Sequence, residues 1–233
     1  PPVLPMHFTT LLFMMVACGP KASTNPSSGG DESASVDSAV ADQNQASTTS
    51  WRDLAYTNPS APDSPSSRLD LYQREGAEPQ PLVLLIHGGS WVGGDKANFA
   101  DAAPHFIPWW IDQGYTVAAV NFRLASPVGR ALTVSPKDQA TDIAHALAWL
   151  HAQADEYRLN PQNTVLVGYS SGAHLVALLG ADDTYAETAG VPHEHIAATI
   201  SLDVHAYDVP YALSLMVGSE VAPNIPLIEH LFG

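Results

Sequence analysis

The stretch Gly168-Tyr169-Ser170-Ser171-Gly172 limits what this chain can fold into more than any other, because of what flanks it. The apolar run Thr164-Val165-Leu166-Val167 leads into it, and a helical pattern from Ala173 to Leu179 leaves it. The segment therefore reads as strand, sharp turn and helix. A serine at the apex of such a turn takes a strained backbone conformation that lifts its hydroxyl clear of a sheet. The residues two positions before and after it must be very small for strand and helix to pass. Gly168 and Gly172 meet that need, so Ser170 is a candidate nucleophile.

A second motif, His87-Gly88-Gly89-Ser90-Trp91, stands directly after another buried-strand run, Leu82-Val83-Leu84-Leu85-Ile86. Acyl transfer by a serine builds negative charge on a carbonyl oxygen, and each pre-aimed backbone N–H stabilises that charge by roughly 3 kcal/mol. A glycine-rich loop at the carboxyl end of a strand turns such groups toward one point, and the residue after the nucleophile supplies another. The candidate oxyanion hole is thus Gly88, Gly89, Ser90 and Ser171.

The remaining pattern fits a mainly parallel sheet with helices on both faces. Trp51 to Tyr56 and Arg68 to Gln73 read as an antiparallel opening pair joined by a Pro/Ser-rich turn. Leu82 to Ile86, Tyr115 to Asn121, the run into Ser170 and Ile196 to Leu202 read as further strands. A helix is expected over Pro104 to Gln113, closed by Gly114. A second is expected from Lys137 to Tyr157, opened by Pro136 and closed by Asn160-Pro161. Both motifs then sit beyond the carboxyl ends of strands, where such sheets bind ligands.

With these residues in place, the chain from about Ala55 onward resembles an α/β-hydrolase. More narrowly, it resembles the esterase and kynurenine-formamidase-like group that includes the BD-FAE-like feruloyl and acetylxylan esterases. The matching segments are Arg68-Leu69-Asp70-Leu71-Tyr72, His87 to Trp91 with Gly94-Asp95-Lys96, Asn121-Phe122-Arg123-Leu124, and Gly168 to Leu175. Phe122 stands where the family usually has Tyr, and Ser171 replaces the usual Ala; only the backbone of position 171 enters the chemistry. The resemblance implies a serine hydrolase acting on a small-molecule carboxylic ester, or on an aryl formamide or acetyl group, with no cofactor and no metal. A non-catalytic binding protein of the same fold is the alternative.

The chemistry also needs a histidine to take the serine's proton and a carboxylate to orient that histidine. In the family the acid and then the histidine follow the nucleophile at a distance greater than the 63 residues after Ser170. The sequence is therefore read as a fragment lacking its C-terminal strands, with the acid and base expected beyond Gly233. Asp203 with His205 or His230 is the less favoured set. His87 and His174 read as structural. His193 and His195 alternate in a loop with no cysteine or carboxylate set to complete a metal site. Asp142 and His145 read as a pair on a solvated helix face.

Composition bears on partners and on the first fifty residues. A net charge of −15 with no basic patch disfavours nucleic acid. Leu11 to Ala17 is apolar, too short to span a membrane but of signal-peptide length. Met15-Val16-Ala17-Cys18 resembles a bacterial lipobox. Gly19 to Ser50 contains no aromatic residue, Leu, Ile or Met and reads as a flexible tether. The expected organisation is a signal peptide over 1–17, a lipidated Cys18 with a linker over 18–50, and an incomplete hydrolase domain over 51–233. The protein is then exported and held by its lipid at the outer membrane or its periplasmic face.

Overall fold

The computed structural model describes residues 47–125, 127–128, 131–132 and 134–202. In chain order the elements begin with strands β1 (Thr48–Ala55), β2 (Arg68–Arg74) and β3 (Gln80–Ile86), then helices α1 (Asn98–Ala102) and α2 (Phe106–Asp112). Strand β4 (Thr116–Val120) and the short pair β5 (Pro127–Val128) and β6 (Ala131–Leu132) come next. Helix α3 (Pro136–Ala152), strand β7 (Leu159–Tyr169), helices α4 (Ser171–Ala181) and α5 (Thr184–Thr188), and strand β8 (Ile196–Leu202) complete the described chain.

Among the described residues six strands form one sheet in the order β1-β2-β4-β3-β7-β8. β4, β3, β7 and β8 are parallel, whereas β2 pairs antiparallel with β4 and β1 antiparallel with β2. The unbroken apolar run of β3 follows from cover on both faces, since Leu82 to Ile86 are all fully buried. Leu82, Leu84 and Ile86 join the core formed with Ile143, Leu147 and Leu150 of α3 and Leu175 and Leu179 of α4. Val83 and Leu85 face the other way, into Phe99 of α1 and Ile107, Trp110 and Ile111 of α2. Each such side chain contributes about 1.5–3 kcal/mol by leaving water.

Several boundaries differ from the sequence reading, each for a local reason. β1 starts at Thr48 because Thr48, Thr49 and Ser50 continue the ladder opposite Arg74, Gln73 and Tyr72. Helix α3 begins as expected, with Ser135 and Asp138 forming a capping box around Pro136. It ends at Ala152 rather than Tyr157, because the chain must turn for Leu159 to pair with Gln80 at the start of β7. Asn160-Pro161 thus lies inside β7, at the shift in register between the Pro81–Asn160 and Leu82–Thr164 pairs, where a proline's missing N–H costs no ladder bond. No helix among the described residues is long and apolar enough to cross a membrane.

Candidate active site

β7 and α4 meet at Ser170, whose backbone takes φ 54° and ψ −118°. A non-glycine residue at positive φ is disfavoured by on the order of 1 kcal/mol or more and persists where its surroundings over-determine it. The surroundings here are backbone. A Cβ on Gly168 would overlap the Gly172 carbonyl group, and one on Gly172 would overlap the Ile86 carbonyl oxygen, so only glycines let the three segments pass. The Ser170 N–H donates to the Leu202 carbonyl of β8 at 3.0 Å, and the Ser170 carbonyl accepts from Ala173 N–H at 2.9 Å. Both sides of the apex are thereby fixed.

The loop after β3 lies against this turn. A Cβ on Gly88 would stand 2.9 Å from the Tyr169 carbonyl oxygen and 3.0 Å from Ser170 Cβ, so the loop packs against the serine turn with no room for a side chain at position 88. Gly89, Ser90 and Trp91 follow with φ of 127°, 53° and 63°. The turn closes on the Gly89 carbonyl, which accepts from Val92 N–H at 3.1 Å and Gly93 N–H at 2.9 Å. The structure thus brings together Gly88, Gly89, Ser90, Ser170 and Ser171 at the carboxyl ends of β3 and β7.

Side chains from three other segments hold this loop. The Trp91 carbonyl accepts from Gln139 Nε2 at 2.7 Å and from Ala125 N–H at 2.9 Å. Asn121 accepts the Lys96 N–H on Oδ1 at 2.6 Å and donates from Nδ2 to Asp95 at 2.9 Å. Lys96 Nζ bridges Asp53 and Asp70, each at 2.9 Å, and Arg52 completes the set on Asp70 at 2.8 Å. Burial alone would push the Asp70 carboxyl up; the Asp53 N–H, Lys96 and Arg52 outweigh it, and its pKa falls below the ordinary value. Asp95 follows the same pattern: burial raises it, and the Ala97 N–H and Asn121 amide bring it down further.

Asp142 corrects the sequence reading. It lies fully buried rather than on a solvated face, and it takes Arg123 in a two-point grip, Nε at 2.8 Å and Nη2 at 2.8 Å, as well as the Arg123 N–H at 3.0 Å. That grip fixes the Asn121-Phe122-Arg123 segment on which the loop rests. The sequence had shown Asn121, Asp95 and Lys96 only as matching positions, and Gln139 carried no signal at all.

Five of the described histidines are engaged in other contacts. His87 is buried, stacks on Phe122 with ring centroids 4.4 Å apart, and holds Nδ1 2.8 Å from the Gly88 carbonyl oxygen. A carbonyl only accepts, so Nδ1 carries the proton, and burial pushes the imidazole's pKa down. His174 packs edge-on against Trp91, and burial lowers its pKa too. His193 Nε2 lies 3.3 Å from the Leu179 carbonyl oxygen, and His195 stacks on His151, whose pKa burial and then His195 push down to about 4. Among the described residues no group of three or more His, Cys, Asp or Glu is placed to hold a metal ion. Cys18, Asp203, His205 and His230 lie outside the described residues.

Sheet order, serine turn and glycine loop together define an α/β-hydrolase fold. The chain belongs to the BD-FAE family, whose model matches residues 69–206. Among curated proteins it is similar to a probable isoprenylcysteine alpha-carbonyl methylesterase of Oryza sativa subsp. japonica, 32% identical over 116 residues that cover 49% of this chain and 26% of that protein. It is also similar to esterase LipC of Mycobacterium tuberculosis, 29% identical over 120 residues that cover 51% of this chain and 28% of that protein. These matches span about a quarter of the relatives' own length. Among solved structures, esterase B from Lactobacillus rhamnosis shares the fold with a TM-score of 0.54 and 22% identity, over 79% of this chain and 59% of that one.

Proposed function

We propose that this protein hydrolyses a carboxylic ester through an acyl-enzyme on Ser170. The observation that carries the reading is the close packing of the two motifs: the glycine loop lies so near the positive-φ serine between β7 and α4 that a Cβ on Gly88 would stand 3.0 Å from Ser170 Cβ. The Ser170 hydroxyl attacks the substrate carbonyl carbon while a base takes its proton. The backbone N–H groups of Gly89, Ser90 and Ser171 receive the charge that builds on the carbonyl oxygen. Collapse expels the alcohol, which takes up a proton, and a water molecule then releases the acid by the same route in reverse.

His87, His151, His193 and His195 are engaged elsewhere, and this reading takes the histidine base and its acid from outside residues 47–202. Relatives named as esterases support an ester substrate. Aryl formamides and acetyl groups fall within the same chemistry, because the leaving group departs from the same acyl carbon. Export and anchoring through a lipidated Cys18 complete the reading. A palmitate analogue should then label the wild type and not Cys18→Ser.

The decisive experiment on the site is covalent. A fluorophosphonate probe should label the full-length protein and hydrolysis of p-nitrophenyl acetate should follow, with both reduced by at least about 10⁴-fold in Ser170→Ala. Labelling that survives the substitution removes Ser170 from the role.

A further inference from the structure

Gln139 lies in the first half of α3 with its side chain fully buried. Its Nε2 donates to the Trp91 carbonyl at 2.7 Å and to the Arg123 carbonyl at 2.9 Å, while Oε1 has no hydrogen-bond partner. A buried amide with an unpaired oxygen is unfavourable by itself, so the two carbonyls dictate its orientation; reversed, it would set one oxygen against two others. Trp91 is the last of three successive residues at positive φ, and two of the three, Ser90 and Trp91, carry side chains. Such backbone reverts to ordinary conformations unless several contacts hold it. Gln139 Nε2 and the Ala125 N–H both hold the Trp91 carbonyl.

We propose that Gln139 is a positioning residue for the glycine loop. By holding the Trp91 carbonyl it fixes the left-handed Ser90-Trp91 backbone, and with it the direction in which the Gly89 and Ser90 N–H groups point. Gln139 never meets the substrate; it acts through Trp91 across 48 residues of sequence. This inference rests on the oxyanion reading given above.

Two variants of the full-length protein test it. Gln139→Met keeps the length of the side chain and removes both donated bonds. Because the loop's N–H groups are used in the transition state, kcat should fall about tenfold or more while KM stays within about twofold. Hydrogen exchange at the Val92 and Gly93 amides should speed at least about tenfold relative to the amides of β3. Gln139→Glu keeps the shape and, when protonated, one donor. Burial raises the pKa of that new carboxyl, so kcat relative to wild type should climb as pH falls, a profile that a packing defect does not produce. Unchanged exchange and kcat in Gln139→Met overturn the proposal, as does a pH-independent ratio in Gln139→Glu; the glutamate variant also decides the matter if the methionine variant does not fold. Activity that survives Ser170→Ala breaks the oxyanion reading instead, and exchange at Val92 and Gly93 still reports on Gln139.

Discussion

At Ser170 a single residue takes positive φ and backbone presses directly on backbone, through Gly168, Gly172 and the Ile86 carbonyl. At Gly89-Ser90-Trp91 three residues in a row do so, and side chains from as far along the chain as position 139 keep them there. The sequence requirement of the first region is confined to glycines two positions either side of the serine, which let distant backbone close on it. The second is specified by a scaffold of distant polar groups: Asn121, the Arg123–Asp142 pair, Gln139 and the Lys96 bridge. The difference teaches that one site can combine a motif held by backbone alone with one that is only the visible end of a side-chain construction.

If that contrast is right, the largest effect comes from adding a single side chain at the serine turn. Gly172→Val places a Cβ into the Ile86 carbonyl and should destabilise the fold by more than about 4 kcal/mol, leaving little soluble protein. A stable, soluble Gly172→Val would show that backbone contact is not what holds the turn. Next comes the remote scaffold. Asp142→Ala strands Arg123 without its carboxylate and should cost about 3 kcal/mol in urea unfolding, although it lies in neither motif. A change below about 0.5 kcal/mol would place Asp142 back on the solvated face.

Inside the loop the expected effect is on chemistry more than on folding. Gly89 sits at φ 127°, and a Cβ there would overlap the Gly93 carbonyl, so Gly89→Val should lower kcat roughly 100-fold, the worth of one lost N–H donor. Ser171→Ala, which keeps its backbone N–H, should change kcat less than about threefold. Reversal of that order would exchange the roles assigned to backbone and side chain.

The smallest effect is a response to acid confined to one region. Asp70 and Asp95 have pKa values below the ordinary carboxylate value when folded. Their stabilising contribution is therefore present above about pH 4 and is lost as pH falls through the lower folded values. Protection of amides in residues 87–96 should drop below pH 4 before protection of residues 165–175, where the turn carries no carboxylate. Loss of protection in both segments together would erase the distinction between them.

The contrast also accounts for what could be read in the sequence. The serine turn was legible because the switch from an apolar strand run to helical spacing occurs within ten residues around two fixed glycines. β3 was legible because Leu82 to Ile86 is apolar without interruption, and α3 announced its start through Pro136. Its end at Ala152 was not legible, since the stop is set by the pairing of Leu159 with Gln80, a tertiary event. Helix α1, of only five residues, gave no periodic signal. Asp142 was misread because its spacing to His145 fits an exposed helix pair equally well, and the partner that buries it stands 19 residues earlier. Gln139 was invisible for the same reason at greater distance.

Lys96 makes the loop open to chemical footprinting. Its ammonium is nearly sheltered from solvent and clasped by Asp53 and Asp70; burial alone would favour the neutral amine, but the two carboxylates prevail and raise its pKa. Acylating reagents attack only the uncharged amine, so Lys96 reacts slowly while the clasp is closed, whereas Lys137, exposed in the first turn of α3, stands open to the reagent. The ratio of modification at these two lysines is then a gauge, readable by mass spectrometry without any substrate, of how much of a sample has its glycine loop assembled.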